Sequence, residues 1–250
     1  MSDGVEAVVL RTLRYGEADL IAHLYTRHGG RRGVIAKGAR KPRSRLGARL
    51  EPFLALRLQL VEGRGDLATV RGVEVLAAHD GLRGDWRSQQ IGAAALDLVT
   101  RLTIEHEASE PLFHLLRNFL DLLDAAAAAP GVDPDHARGG TLLVAFELKL
   151  LHVVGIAPQL GACVRCGDTR ALIAYSAEDG GVVCSGCRTA GDQTIDAATH
   201  DAAVDLTRTS LAELAVRPVD ELPVQRVLRT VSNGIVAATC HAHAGIRPRR

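Results

Sequence analysis

Two pairs of cysteines constrain this chain more than any other feature of its sequence. Cys163 and Cys166 form one C-x2-C pair, Cys184 and Cys187 form a second, and seventeen residues separate the pairs. Two thiolates two residues apart can converge on one metal ion from a tight turn, and this spacing is typical of tetrahedral zinc sites. The intervening segment, "LIAYSAEDGGVVC", predicts a hairpin that turns near Asp179 and brings the second pair beside the first.

Two other interpretations of the four cysteines are open, namely two disulfides or two redox-active pairs. Disulfides are disfavoured because the N-terminal "MSDGVEAVVLR" does not resemble a signal peptide, so we expect a cytoplasmic location. Redox pairs usually lie at a strand-to-helix junction, and neither pair does here. Four protein ligands leave no open coordination position, so we expect one structural Zn²⁺ per chain. Its predicted ligands are Cys163, Cys166, Cys184 and Cys187.

Short strands dominate the first eighty residues. Partial alternation of apolar and polar residues, with many β-branched side chains, predicts five strands in this region. They lie at residues 5–14, 20–26, 32–37, 53–61 and 67–77. Five strands in this length indicate a small closed barrel such as the OB-fold, whose face and loops bind nucleic acid. The strand count fits an SH3-like barrel equally well.

Past Gly84 the periodicity becomes helical. Apolar spacing predicts helices over 86–103, 110–129, 141–155, 197–217 and 222–244. Charged residues interrupt the longest apolar segment, so we expect no membrane span. The fold class is thus multi-domain α+β, an N-terminal OB-fold β-barrel followed by an all-α domain that carries a four-cysteine zinc module. The predicted domains are the barrel at 1–80, the helical domain at 81–158 and 191–250, and the inserted zinc module at 159–190.

Positive charge is concentrated in the barrel region, although the whole chain has a formal net charge of only +1. Nine cations lie in residues 27–49, and no acidic residue occurs between Asp19 and Glu51. The segment "AKGARKPRSRLG" (residues 36–47, the basic loop) contains five of them. A solvated loop without a partner is the plain alternative, but its place between barrel strands favours contacts with a phosphate backbone. The predicted DNA-binding residues are Arg14, Arg27, Arg31, Arg32, Lys37, Arg40, Lys41, Arg43, Arg45 and Arg49.

Base recognition and catalysis find little support in the sequence. Single-strand binders stack bases on aromatic side chains, whereas the barrel region has only Tyr15, Tyr25 and Phe53. No phosphate-binding loop, nucleophile elbow or H-E-x-x-H motif is present, so we expect a DNA-binding protein that is not an enzyme. Two other classes stay open. One is a protein-interaction adaptor whose basic loop binds acidic protein tails, and the other is a zinc-dependent nucleic-acid enzyme with an open metal position.

Two segments resemble the RecO family of bacterial recombination-mediator proteins. Residues 9–53, "VLRTLRYGEADLIAHLYTRHGGRRGVIAKGARKPRSRLGARLEPF", are similar to the N-terminal signature of that family. Residues 146–167, "FELKLLHVVGIAPQLGACVRCG", resemble its second block, a helix that leads into the first cysteine pair. The order of barrel, helices and cysteine module also matches.

The resemblance implies a function as well as a fold. It implies binding of single- and double-stranded DNA, annealing of complementary strands, and action with RecR to load RecA onto strands coated by single-strand binding protein (SSB). It further implies that the helical domain contacts the acidic C-terminal tail of SSB, and that the protein is associated with the nucleoid. The zinc ligands of the family fall on the four paired cysteines, and its DNA-holding loop falls on Lys37, Arg40, Lys41, Arg43 and Arg45.

Overall fold

The computed structural model describes residues 4–44, 46–63, 65, 67–128, 137–217 and 226–227. The chain divides into two compact units, Met1–Pro130 and Gly131–Arg250. Of the predicted helix at 222–244, only Arg226 and Val227 lie within the described residues, and both are helical. Arg45 of the predicted DNA-binding set also lies outside the described residues.

Five strands form a closed barrel in the first unit, in the order β1-β2-β3-β5-β4. Neighbouring strands are antiparallel except β3 and β5, which run parallel. The strands are β1 (Val5–Tyr15), β2 (Asp19–Thr26), β3 (Gly30–Ala36), β4 (Ala55–Val61) and β5 (Ala68–Ala77). The five predicted strands are all present, and the predicted barrel of OB type is confirmed.

The barrel interior is built from alternate residues of each strand. Ala22 and Leu24 of β2 and Val34 and Ala36 of β3 are fully buried, whereas Ile35 between the last two is partly exposed. Successive side chains of a strand point to opposite faces, so this alternation separates a core-facing row from an outward-facing row. Burial of each large aliphatic side chain contributes about 2 kcal/mol, which explains why β-branched and leucine residues occupy these positions.

Three helices complete the first unit: α1 (Asp80–Gly84), α2 (Trp86–Leu102) and α3 (Glu110–Ala128). α2 begins where the Asp85 carboxylate accepts a hydrogen bond of 2.7 Å from the backbone N–H of Ser88, a standard N-cap. Pro111 occupies the first turn of α3, as the sequence predicts. α1 was not predicted, because five residues are too few to show a helical period.

The second unit contains helices and a small sheet. The segment 197–217 is helical as predicted, but it contains two helices, because Ser210 accepts a hydrogen bond from the backbone N–H of Glu213 and begins a new helix there. The predicted hairpin between the cysteine pairs is present, and an additional short strand extends it. The elements are α4 (Ala137–Val153), β6 (Leu172–Ser176), β7 (Gly181–Cys184), β8 (Gln193–Thr194), α5 (Ala197–Arg208) and α6 (Leu211–Val216). Across the described ranges of the chain, no helix is both long and apolar enough to cross a membrane.

Candidate nucleic-acid interface and metal centre

Apolar side chains anchor the chain from the basic loop to the start of β4 onto the barrel. Ala39 and Leu50 are buried within the barrel core, and Leu46 packs against the same core. Gly47 lies directly against Ala39, because a Cβ at Gly47 would be 2.2 Å from the Ala39 carbonyl oxygen. Only glycine permits this approach. These contacts hold the described residues at both ends of the loop against the barrel.

The turn between β1 and β2 supports the basic loop from one side. The backbone N–H of Gly38 donates a 2.8 Å hydrogen bond to the Asp19 carboxylate, and that of Arg40 donates a 2.9 Å bond to the Ala18 carbonyl. The Arg40 guanidinium also donates to the Glu17 carbonyl at 3.2 Å. These bonds hold the loop at one end of the barrel.

Four cations of the basic loop are exposed: Lys37, Arg40, Lys41 and Arg43. Within the described part of the chain, none of the four lies in an ion pair. Successive turns spread them over the surface, since Lys41 N–H donates to the Gly38 carbonyl at 3.1 Å and Ser44 N–H donates to the Lys41 carbonyl at 2.9 Å. The loop thus presents uncompensated positive charge, which attracts polyanions and releases their counterions.

Three other arginines of the predicted set have compensated charge. Each pairs with a glutamate that lies outside the segment between Asp19 and Glu51. The shortest nitrogen–oxygen distance in each pair is 3.3 Å or less. Arg31 also donates to the Thr103 carbonyl at 3.2 Å. These arginines hold elements of the first unit together. Arg27 pairs with Glu110, Arg31 with Glu105 and Arg32 with Glu62.

Two predicted cations lie elsewhere on the barrel. Arg49 is exposed, and its guanidinium donates to the Val73 carbonyl of β5 at 3.3 Å. Arg14 is exposed near the end of β1, directly opposite Leu20, and Leu20 packs against the barrel core. Paired residues of antiparallel strands share a face, so Arg14 lies on the face of the hairpin that continues from the barrel interior.

Arg71 is an exposed cation that the sequence did not single out. The parallel strands β3 and β5 pair at Ile35 and Thr69, and Lys37 and Arg71 each lie two residues further along the chain. Lys37 directly follows the end of β3, and Arg71 lies at an irregularity in the pairing of β5 with β4, where Gln59 pairs with Gly72 and Leu60 pairs with Val70. A single arginine within a strand gives no signal in the sequence, because its relation to the basic loop depends on the barrel pairing.

The four paired cysteines form one cluster in the second unit. Their Sγ atoms all lie within 4.8 Å of one another, and all four thiols are free. The first pair is held in a turn by the Gly167 N–H, which donates to the Cys163 carbonyl at 2.8 Å. β7 ends at Cys184, so the hairpin brings the second pair to the first. The sequence prediction that both pairs converge on one point is therefore confirmed.

The electrostatics of the cluster favour a bound cation. The pKa of Cys163 is lowered to about 6, chiefly because the backbone N–H of Cys184 donates to its sulfur. In contrast, neighbouring thiols, first of all Cys166, raise the pKa of Cys187 to about 12. The Cys163 thiolate thus forms readily, while ionisation of Cys187 is opposed by the neighbouring sulfurs and is favoured by a cation among them. Four sulfur donors are the ligand set of structural zinc sites, so these residues fit a metal ion of that kind.

Arg165 links the two cysteine pairs through hydrogen bonds that need no metal. Its guanidinium donates to the Cys187 carbonyl at 2.7 Å, to Asp192 at 2.6 and 2.9 Å, and to Asp179 at 2.9 Å. The Asp192 side chain is only 3% exposed, and the Arg165 guanidinium holds the pKa of that carboxyl well below its usual range. Because Arg165 lies between the first two cysteines, this network fixes the first pair relative to the second.

An OB-type barrel with a cationic loop, followed by a helical region with a four-cysteine cluster, defines a multi-domain protein of the OB-barrel class. A family model described as "Recombination protein O N terminal" matches residues 1–79, and one described as "Recombination protein O C terminal" matches residues 83–233. The chain belongs to the recombination protein O (RecO) family of DNA repair proteins, as the resemblance in its sequence predicted.

Curated relatives support the same assignment over most of the chain. The DNA repair protein RecO of Anaeromyxobacter sp. (strain K) is 35% identical over 217 residues, which are 85% of this chain and 82% of the relative. The DNA repair protein RecO of Nocardioides sp. (strain ATCC BAA-499 / JS614) is 40% identical over 191 residues, or 74% of each chain. The protein therefore has a role in DNA repair.

Proposed function

We propose that the chain is a non-enzymatic recombination mediator that binds single- and double-stranded DNA and anneals complementary strands. The observation that carries this proposal is the anchored basic loop, whose exposed cations have no described carboxylate partner. Phosphate contacts from such a loop give an affinity that depends on salt and not on sequence. Family membership supports the setting of DNA repair.

Annealing follows from charge alone and requires no covalent step. Two complementary strands repel each other through their phosphates, and this repulsion slows pairing. A cationic surface that holds both strands neutralises part of that charge and raises their local concentration. The expected acceleration is an electrostatic effect, so it weakens as the salt concentration rises.

We propose that the four-cysteine cluster holds one structural Zn²⁺. Cys163, Cys166, Cys184 and Cys187 would supply all four ligands, and the metal would compensate their negative charge. A closed ligand set leaves no position for water or substrate, so the metal would stabilise the module without taking part in a reaction. This ligand set also argues against the zinc-dependent enzyme, which needs an open position.

The partners that the family resemblance implies are part of the same proposal. The chain would act in the cytoplasm, associated with the nucleoid, together with RecR. It would contact the C-terminal tail of SSB and help to load RecA onto strands that SSB covers. The cationic barrel is chemically suited to DNA. In this proposal the partner proteins therefore bind the remaining part of the chain.

A salt titration with a loop variant tests the proposal. The variant carries Lys37→Ala, Lys41→Ala and Arg43→Ala, and DNA affinity is measured by fluorescence anisotropy over a range of salt concentrations. Loss of three phosphate contacts reduces the slope of log K against log salt by about 2 for a single strand. A matched variant removes three exposed helix arginines, Arg87, Arg101 and Arg208, and thereby the same charge.

The outcomes separate the proposal from its competitor. We expect the loop variant to bind DNA weakly and to anneal complementary oligonucleotides slowly, with and without SSB on the strands, while the helix variant resembles the wild type. Wild-type affinity and slope in the loop variant would overturn the assignment of the loop. Tight binding of an acidic peptide by the wild type, together with little DNA binding, would favour the adaptor instead.

A further inference from the structure

Of the Phe, Tyr and Trp side chains of the described barrel, Tyr15 is the only exposed one. Tyr25 is fully buried, and its hydroxyl group faces the Ser109 carbonyl at 3.5 Å. Phe53 is half-buried against α2, where a Cβ at Gly92 would lie 2.9 Å from its ring. Tyr15, in contrast, is 54% exposed at the end of β1. A tyrosine in this position exposes a large apolar ring that contributes little to the core.

The strand register puts Tyr15 on the outer face of the barrel. Leu13, two residues before it, lies opposite Ile21, which lies opposite Ile35, and Ile35 pairs with Thr69. These four residues form one row across β1, β2, β3 and β5. The neighbours of the central residues, such as Ala22 and Val34, are core residues, so the row points outward.

Three of the four residues in this row are apolar and partly open to solvent. Leu13 is 47% exposed, and Ile21 and Ile35 are partly exposed. Tyr15 lies on the same face, since its cross-strand partner Asp19 is two residues before Ile21. The outer surface of the first three strands thus carries an apolar strip that ends at an exposed tyrosine ring.

The basic loop begins beside this tyrosine. The residue opposite Tyr15, Asp19, binds the backbone N–H of Gly38. The Arg40 guanidinium donates to the carbonyls of Gly16 and Glu17, the two residues that directly follow Tyr15. An exposed aromatic ring and uncompensated cations therefore occupy the same end of the barrel.

A single nucleic-acid strand matches this combination, whereas a duplex does not. An unpaired strand presents phosphates on one side and free base faces on the other, so cations and an aromatic ring can bind it together. In a duplex the base faces are already stacked on one another. Only the phosphates are then available to the loop, and the ring gains nothing.

We infer that Tyr15 stacks on an unpaired base of a single strand whose backbone is held by the basic loop. The inference rests on the proposed function and deepens it, because it assigns a residue that distinguishes single-stranded from double-stranded DNA. The cations supply an affinity common to both forms, and Tyr15 adds affinity for the single strand. A strand loses the Tyr15 contact when it pairs, which favours release of the product duplex.

Three ligands of equal length separate stacking from charge: oligothymidine, an abasic oligomer with the same number of phosphates, and a duplex. We expect Tyr15→Ala to weaken oligothymidine binding roughly five- to hundredfold. Binding of the abasic oligomer and of the duplex stays within about twofold of wild type, and the salt slope is unchanged, because no cation is lost. Tyr15→Phe retains the ring and binds oligothymidine like the wild type. Trp86→Ala, which removes the exposed indole of α2, is the matched control.

The result that overturns the inference differs from the one that overturns the proposed function. Wild-type oligothymidine affinity in Tyr15→Ala, together with weak binding in the Lys37, Lys41 and Arg43 variant, refutes the role of Tyr15 and leaves the DNA-binding loop intact. Unchanged affinity in both variants refutes the assignment of DNA binding to the basic loop, on which the proposed function rests. An equal loss for all three ligands in Tyr15→Ala shows damage to the loop and also refutes stacking. Thermal unfolding of each variant measures such damage directly.

Discussion

The carboxylate of Asp19 accepts a 2.8 Å hydrogen bond from the backbone N–H of Gly38. Asp19 is the last acidic residue before the cations of residues 27–49. From charge alone, its carboxylate would be expected to neutralise one of these cations. Instead it fixes the first turn of the basic loop, in which Gly38 has a φ of +64°. An acidic side chain thereby holds in place the loop that we propose binds DNA.

Two substitutions of Asp19 have opposite expected effects on DNA binding. Asp19→Ala removes the hydrogen bond and loosens the loop, so we expect roughly fivefold weaker binding, equivalent to about 1 kcal/mol. Asp19→Asn keeps an oxygen acceptor but removes a negative charge near the cations, so its affinity equals or exceeds that of the wild type. Fluorescence anisotropy at fixed salt measures both. Tighter binding by Asp19→Ala would mean that Asp19 acts only through its charge.

The sequence predicted the strands of the barrel well, because each strand carries its own alternation. It could not predict how the barrel closes. That closure depends on the parallel pairing of Val34 with Ala68 and Ile35 with Thr69, and these pairs join segments more than thirty residues apart. Local patterns contain no information on such pairings. The row that leads to Tyr15 could not be predicted for the same reason, because it is defined by pairing across several strands.

Ion pairs set a similar limit on predicting the site. The cations of residues 27–49 looked uniform in the sequence, since no acid lies among them. Arg27, however, meets Glu110 across 83 positions of sequence, once α3 packs beside the barrel. In contrast, the cysteine cluster was predictable in full, because its spacing and hairpin are local. What sequence reasoning missed was the division of the cations into compensated and uncompensated groups.

Arg31 is expected to matter more for stability than for DNA binding. It is 18% exposed, and its guanidinium meets Glu105 at 3.3 Å and the Thr103 carbonyl at 3.2 Å. A double-mutant cycle of Arg31→Ala and Glu105→Ala, followed by urea unfolding, is expected to give a coupling of about 0.5 kcal/mol. DNA affinity falls less in Arg31→Ala than in Lys41→Ala. The reverse order would mean that Arg31 leaves its ion pair to bind phosphate.

Asp121 is expected to make the first unit sensitive to acid. The ring of buried His79 links the Phe53 carbonyl (2.7 Å) to the Asp121 carboxylate (2.8 Å), and the hydrogen bond to His79 is the main cause that lowers the pKa of Asp121. A carboxyl whose pKa is lowered by folding stabilises the fold at pH values above its pKa in the unfolded chain, which is about 3.9. This stabilisation is lost as the pH falls through the lower pKa of the folded protein.

Asp121→Asn tests this linkage, because the amide oxygen still accepts a hydrogen bond but does not titrate. We expect the wild-type urea midpoint to fall as the pH drops from about 5 towards 3, and the variant to fall less steeply. The fluorescence of Trp86, the only tryptophan, reports on the first unit. Parallel pH curves for the two proteins would exclude Asp121 as the source of the acid sensitivity.

Arg165 is expected to control the metal affinity of the four-cysteine cluster. Its hydrogen bonds to Asp192 and to the Cys187 carbonyl hold the second cysteine pair in place. Loss of supporting hydrogen bonds of this kind weakens metal binding ten- to hundredfold in other sites. We therefore expect about a tenfold loss of Zn²⁺ affinity in Arg165→Met. Arg170→Met is the matched control, because Arg170 is 87% exposed and, among the residues that the structure describes, pairs only with Asp168. Competition against a chromophoric chelator measures both affinities. Equal Zn²⁺ affinity in the two variants would show that the cysteines hold their arrangement without the arginine network.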